Sequence, residues 1–453
     1  MPRPLALLLC ALLLAAPASG AATATPTHRV FLPIVSTGAP VGQLGLELSP
    51  ARGPEWVDRA HAVAPAWLRL NGLAWSDVEP TQGAGYRWDA PATRALEARL
   101  TLAAQLGLPV ILVIHGSPRW AVAPHAANCA PIAPEHYGRF ASFAAAAVAR
   151  YSAPPFNVRY YELGNEPDAN LFSTDSPYGC WGRTDEPRYG GEAYGRLLMA
   201  AYPAIKAASP AAQVLNGGLL LDTAYNPVTG DGASGRFLEG MLEAGAGAAF
   251  DILAFHSYSY YDGTPDGSLG AQDWKPAYLR GILARYGLQK PLFNTESALL
   301  CPTASDACAQ AQANVIPRLY VRALRDGLVG QVWYAFDSDS FHHTALVNPG
   351  APQQQRPAYR AFAQAAHALA GMGYSGPVAG LPPGAEGHSL VAGGRTTYVL
   401  WSNRTQAASL PVASGARVAC ATWEGQSAPC NPSGGALPLQ LGPAPLYVTV
   451  SRP

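Results

Sequence analysis

Two glutamates, Glu166 and Glu296, each follow a short apolar run of strand character. The first run, Val158–Leu163, continues as Gly164, Asn165, Glu166 and Pro167. The second, Pro291–Phe293, continues as Asn294, Thr295 and Glu296. They lie far apart in the chain, so only the fold can bring them together. Meeting in one pocket, they would form the paired carboxyl groups that break a glycosidic bond. One must be protonated to donate to the leaving oxygen, and the other ionised to attack the anomeric carbon. Asn-Glu-Pro alone recurs by chance, so placement decides what the pair means.

The elements that must place them are legible as alternating apolar runs and amphipathic stretches. Candidate strands are Gln43–Leu48, Trp67–Asn71, Val110–His115, Val158–Leu163, Gln213–Gly217, Asp251–His256, Pro291–Asn294 and Gly330–Phe336. Between and after them the pattern predicts helices over Glu55–Ala64, Pro91–Leu106, Pro134–Tyr151, Glu192–Ala208, Gly235–Ala244, Lys275–Tyr286, Cys308–Arg325 and Pro357–Leu369. Repeated strand–helix units favour a parallel sheet with helical crossovers, and about eight of them close a barrel. An open dinucleotide-binding sheet fits less well, because Leu48-Ser49-Pro50 stands where its Gly-rich loop would follow the first strand. The predicted fold class is therefore α/β, a (β/α)8 TIM barrel over residues 41–372. After about Tyr374, β-rich runs such as Thr396–Trp401, Ser409–Val412, Arg417–Thr422 and Leu446–Val450 alternate with Gly, Pro and Ser. Residues 373–453 thus read as a small C-terminal antiparallel β-domain, sandwich-like, for structural support or carbohydrate binding.

In such a barrel the active site lies at the C-terminal ends of the strands. Glu166 falls just beyond the fourth strand and Glu296 just beyond the seventh, positions that face one another. A loop glutamate in water is the ordinary reading of either alone; both at matching positions argue for a shared pocket.

The chain has 453 residues, with 30 Lys and Arg balanced by 30 Asp and Glu. That neutrality gives no argument for nucleic acid or an anionic membrane surface as partner, and suits neutral carbohydrate. Arg3, apolar Leu5–Ala16 and Ala18-Ser19-Gly20 resemble a secretory signal over residues 1–20, leaving a secreted protein with no membrane attachment. Residues 21–40 are Thr/Ala/Pro-rich and read as a leader or linker. Beyond Cys10 the cysteines are Cys129, Cys180, Cys301, Cys308, Cys420 and Cys430. An even number in an exported chain, with no CxxC pair, points to disulfides rather than zinc. The expected pairs are Cys301–Cys308, Cys420–Cys430 and Cys129–Cys180, among 15 possible connectivities.

With these residues in view, the chain resembles glycoside hydrolase clan A, retaining β-glycosidases with catalytic glutamates after strands four and seven. The resemblance covers most of residues 43–370. It implies Glu166 as acid/base, Glu296 as nucleophile, and Asn165 as a hydrogen-bond partner of the sugar 2-hydroxyl. Arg69, in Trp67-Leu68-Arg69-Leu70, resembles the clan arginine beneath the nucleophile, where a cation would keep Glu296 ionised; without the family context a structural ion pair is the equal alternative. His256 and Tyr258, in AFHSYSYY, resemble the clan His-x-Tyr element, and Tyr258 would donate to Glu296. Either is otherwise a buried polar residue with its bonds satisfied. Trp333 resembles the platform under the sugar in subsite −1, with core packing as its alternative. Trp120, in HGSPRWA, and Trp181 are candidates for further subsites. ELGNEPD is nearest in flavour to the β-xylosidase/iduronidase and cellulase/mannanase families, whereas FNTESALL departs from the usual continuation after the nucleophile. Asp337, Asp339, His342 and His343 lack metal-ligand spacing and read as loop polarity.

The expectation is a secreted, monomeric retaining glycoside hydrolase that acts on a poly- or oligosaccharide without metal or organic cofactor. The alternatives are a carbohydrate-binding barrel without turnover, and a transglycosylase using the same two glutamates.

Overall fold

The computed structural model describes residues 43–122, 131–169, 181, 187–220, 235–264, 270–339 and 341–451. Among them, one sheet of eight parallel strands runs in the order β5-β4-β3-β2-β1-β8-β7-β6. The strands are β1 (Leu44–Leu48), β2 (Trp67–Ala74), β3 (Val110–His115), β4 (Tyr160–Leu163), β5 (Gln213–Asn216), β6 (Leu253–Tyr260), β7 (Leu292–Leu300) and β8 (Gln331–Trp333). Isolated parallel bridges, Leu215 to Ile252 and Leu219 to Phe255, link the two ends of this curled sheet. The architecture is TIM-barrel-like, and every expected strand is present with its ends moved by a few residues.

The alternation of side chains along each strand divides two apolar layers. Trp67, Ile111, Leu215, Ile252, Ala254, Phe293 and Val332 pack together as an inner layer. Their neighbours Leu68, Leu112, Val214, Leu253, Leu292 and Trp333 belong to the larger outer core beneath the helices. In the inner layer Trp67 meets the edges of Tyr160 and Phe293 at ring separations of 4.8 and 5.1 Å. This packed floor closes one end of the sheet and leaves polar inward positions towards the strands' C-terminal ends.

The crossover helices follow their apolar stripes. They include Glu55–His61, Pro91–Gln105, Tyr137–Tyr151, Gly191–Ala208, Gly235–Glu243, Ala271–Arg285, Asp306–Arg325 and Pro357–Leu369. Pro91 and Pro357 occupy first-turn positions, where a missing N–H costs nothing. Pro134 opens a short 3-10 turn instead, and the α-helix begins at Tyr137. Ser305 caps helix Asp306–Arg325 by accepting from the Cys308 amide at 3.2 Å, and the helix passes Pro317 without a break. No helix among the described residues is long and apolar enough to cross a membrane.

The C-terminal residues form antiparallel sheets. One has six strands, Gly373–Pro377, Ala385–Ala392, Arg395–Ser402, Leu446–Ser451, Arg417–Thr422 and Ser427–Ala428, in that spatial order. A second pairs Gln406–Pro411 with Ala436–Leu441. Leu390, Val399, Trp401 and Tyr447 belong to the same core as the barrel helices. Trp401 is buried beneath Arg318 and Arg322 of helix Asp306–Arg325, at 5.3 and 5.7 Å from its ring, and stacks on His388. It presents no open face for a sugar.

Cys301–Cys308 and Cys420–Cys430 are disulfides, with Cα separations of 5.9 and 5.6 Å. The first ties the end of β7 to the helix that follows it. Cys129 and Cys180, and the signal and leader readings over residues 1–40, lie outside the described residues. Phe293 fills the centre of the inner layer, so Phe293→Ala is expected to lower stability by about 3–5 kcal/mol, measured by urea unfolding.

Candidate active site

Inward positions on β1, β2, β4 and β7 bring four ionisable side chains to one level of the barrel interior. Arg69 of β2 is fully buried and sits among Glu47 of β1, Glu162 of β4 and Glu296 of β7. Its Nε donates to Glu162 Oε2 at 2.8 Å and one Nη2 hydrogen to Glu162 Oε1 at 3.2 Å. Nη1 donates to Glu47 Oε2 at 2.6 Å and also to Glu296 Oε1. The second Nη2 hydrogen goes to Asn165 Oδ1 at 2.6 Å. All five guanidinium donors are thereby occupied.

Burial opposes the Arg69 charge, but Glu162, Glu47 and Glu296 outweigh it and hold the guanidinium well above its ordinary pKa. Burial pushes the Glu47 carboxyl well up; Arg69 opposes the rise, while Glu296 and Glu162 add to it. Glu162 is tied further by the Gly218 amide at 2.8 Å and the Thr295 hydroxyl at 3.1 Å.

Glu296 lies inside β7 rather than beyond it, because the strand runs on to Leu300. A register shift makes this possible. Phe255 pairs with Asn294 and His256 with Glu296, leaving Thr295 as the extra residue. Thr295 and Glu296 can then both face inward, as a bulge allows. Tyr258 donates to Glu296 Oε2. Burial, then the charges of Glu296 and Glu166, raise the Tyr258 pKa well above its ordinary value, so the phenol keeps its proton and remains a donor.

Glu166 follows β4 in a turn with φ of 46°, the left-handed region that a residue with a Cβ seldom adopts. The turn is held from below. The Tyr194 hydroxyl donates to the Leu163 carbonyl at 2.5 Å and accepts from the Gly217 amide at 2.6 Å. A Cβ on Gly217 would come 2.9 Å from Pro167 Cδ, and one on Gly218 would come 2.0 Å from His256 Nε2. These glycines let the β5 end pass beneath both the turn and the imidazole.

His256 is fully buried, with Nδ1 at 2.8 Å from Glu166 Oε1 and 3.5 Å from Glu296 Oε2. Burial lowers its pKa to about 4; Glu296 opposes the shift and Arg69 reinforces it, so the ring is neutral near pH 7. Its Nε2 is sealed from solvent without a hydrogen-bond partner. His115, at the end of β3, is likewise lowered to about 4 by burial and then by Arg69. One ligating atom each from Glu166, His256 and Glu296 lies within 4.8 Å of the others. The two glutamates picked out by their strand positions therefore meet, and Asn165, Arg69, His256 and Tyr258 are all joined to them.

The expected tryptophans behave differently. Trp333 faces the outer core, 1 % exposed, and its indole N–H donates to the Thr344 carbonyl at 2.9 Å. Val332 occupies the inner layer, so alternation turns Trp333 away from the barrel interior and returns Tyr334 towards it. Tyr334 is half-buried, 6.4 Å from Tyr258 and 6.0 Å from Phe341 between ring centres; Phe341 is in turn 5.5 Å from Tyr258. These rings gather around Tyr258, itself bonded to Glu296, whereas Trp333, expected as the platform under the sugar, lies in the core. Trp120 packs on Trp75 at 5.0 Å and donates to the Glu79 carbonyl at 3.1 Å. Among the described residues it has no hydrogen bond or ring contact with the carboxylate cluster. Trp181 stands nearer the Glu166 turn, its amide donating to the Pro167 carbonyl at 3.1 Å. Asp337 accepts from Arg52 and the Ser49 amide, and Asp339 from Arg356, so both serve structural pairs.

No protein-family profile matches the chain, and no curated protein matches it in sequence. Solved structures do. A family 39 glycoside hydrolase from Bacteroides cellulosilyticus WH2 superposes with a TM-score of 0.70 at 21 % identity, covering 91 % of this chain and 81 % of that one. A family 30 endoxylanase from Clostridium papyrosolvens C71 gives 0.62 at 11 % identity, covering 92 % and 98 %. A family 39 β-xylosidase from Caulobacter crescentus gives 0.58 at 13 % identity, covering 92 % and 97 %. This chain is similar to glycoside hydrolases in fold over nearly its whole length.

Two outcomes follow from the buried charges. Arg69→Met should cost about 3–5 kcal/mol in urea unfolding at neutral pH, since it strands buried carboxylates. His256 should link stability to pH. Between its ordinary 6.5 and about 4, the unfolded chain binds a proton that the folded one refuses, so stability falls as pH falls. The melting temperature of His256→Asn should accordingly drop less than the parent's between pH 6.5 and pH 4.

Proposed function

We propose that the protein is a secreted glycoside hydrolase that cleaves β-glycosidic bonds by double displacement with retention, on a closed (β/α)8 barrel spanning residues 41–372. The observation that carries this reading is the approach of Glu166 and Glu296, with an oxygen of each within 4.8 Å. Retaining enzymes hold their carboxyl groups about 5–5.5 Å apart, whereas inverting enzymes need ~6.5–9.5 Å to admit a water.

The surroundings separate the two roles. Glu296 receives hydrogen bonds from a cation and a phenol, which hold its oxygens in place and aim it as the nucleophile. Glu166 has a neutral imidazole for a partner and stands on a turn at the rim, suited to protonating the leaving oxygen. Once the glycosyl group is attached to Glu296, Glu166 as carboxylate takes a proton from water, which releases the sugar. Asn165 gives its Oδ1 to Arg69, so its amide nitrogen is left to donate to a sugar hydroxyl. Such a contact accelerates reaction to the extent that it tightens in the transition state.

Export is part of the same proposal, supported by the N-terminal pattern and by disulfides suited to an oxidising compartment. A conserved exported protein of Bacteroides fragilis shares the fold, with a TM-score of 0.63. Residues 373–453 act as an accessory domain that supports the barrel through helix Asp306–Arg325. Because similar folds include a β-xylosidase and an endoxylanase, β-xylosides and xylan are the first substrates to assay.

The test follows the anomeric configuration of the first product by NMR. Retention is expected, and inversion would sink the mechanism. Glu296→Ala should abolish turnover. Glu166→Gln should lose about 10²–10⁴-fold on substrates with poor leaving groups and much less on activated aryl glycosides.

A further inference from the structure

Glu47 is part of neither expected motif, yet it shares a nitrogen with the proposed nucleophile. Arg69 Nη1 gives one hydrogen to Glu47 Oε2 and the other to Glu296 Oε1, which makes the two carboxylates neighbours. Only Oε2 of Glu47 is engaged; among the described residues nothing donates a hydrogen bond to Oε1. The side chain keeps a small opening, 4 % of its surface, although it shares Arg69 Nη1 with the proposed nucleophile. A carboxyl group so deep, with one oxygen unused, needs a hydrogen-bond partner, and a sugar hydroxyl is the partner this pocket would admit.

Charge narrows the sugar further. The group brought against Glu296 lies beside Glu166 as well, and Glu47 is the neighbour of Glu296 across Arg69 Nη1. Arg69 has spent all five donors on protein acceptors and has none for a ligand carboxylate. Lys275 is directed at the carbonyls of His256 and Leu220. A carboxylate on the sugar would be brought beside the nucleophilic carboxylate itself, with Arg69 and Lys275 already committed to protein acceptors.

We propose that Glu47 is a substrate-binding residue whose Oε1 accepts a hydroxyl of the sugar held against Glu296, selecting a neutral glycosyl group and rejecting a uronic acid. This rests on the glycosidase reading above and sharpens it to a substrate class.

The test measures kcat/KM for matched nitrophenyl β-glycosides: xyloside, glucoside, their monodeoxy analogues and the glucuronide. The parent enzyme should favour a neutral glycoside over the glucuronide by about 100-fold or more, and equal or better cleavage of the glucuronide overturns the proposal. Glu47→Gln should lose about 10–100-fold on the preferred glycoside. On the one deoxy analogue that lacks the contacted hydroxyl, its loss should be within about 3-fold, because the partner is already missing. An equal loss on every analogue would make Glu47 a support for Arg69 only. The comparison of neutral and acidic glycosides needs the parent alone, so it decides even if the variant misfolds. If the parent cleaves none of the series and no polysaccharide, the glycosidase reading fails and Glu47's role with it. Retained hydrolysis with a flat Glu47→Gln response sinks only the role of Glu47.

Discussion

One guanidinium in the barrel interior holds this site together. Arg69 is the common partner of three carboxylates from three other strands, and each would be costly to bury without it. The requirement reaches outward into the fold. β1, β2, β4 and β7 must carry their charged residues at inward positions of the same level. Beneath them, the Trp67–Phe293 floor excludes water from one side. The cluster accounts for polar residues at strand positions that a purely structural barrel would fill with aliphatic ones.

The same arrangement gives two chemically similar side chains different surroundings. Glu296 is deep, braced by Arg69 and Tyr258, and built into a strand. Glu166 is shallower, on a left-handed turn, with the His256 imidazole against its carboxyl group. His256 touches both glutamates, and because it is neutral it adds no second cation that would bias the pair. The difference between the two roles proposed for them thus rests on a difference in support rather than in residue type.

Much of this was legible in the chain. Strand and helix runs were readable because their apolar periods are strong, and Glu166 and Glu296 stood out by their places in the strand count. Two features escaped for identifiable reasons. Thr295 is an extra residue in the pairing, and no local pattern in FNTESALL distinguishes a bulge inside a strand from the end of one. Trp333 resembles the clan's sugar platform by its place on the eighth strand, but Val332 inward turns Trp333 outward and brings Tyr334 towards the interior. Glu47 and Glu162 carried a signal that went unused: a charged residue inside the apolar runs LGLEL and YYEL, on the same face as the inner layer. Trp120 lay after the correct strand, but its environment depends on Trp75 and Glu79, which strand counting does not reveal.

Helix Asp306–Arg325 faces β7 on one side and Trp401 on the other, with Arg322 also paired to Glu386. Its outer covering is therefore encoded well downstream of the helix itself. During translation, the wall behind the proposed nucleophile emerges with two arginines and an apolar strip uncovered, and it stays so until the residues around Trp401 leave the ribosome. Segments made early generally fold early. Here the strand that carries Glu296 has its backing finished by one of the last segments made, so completion of that wall is a late event in the life of the nascent chain.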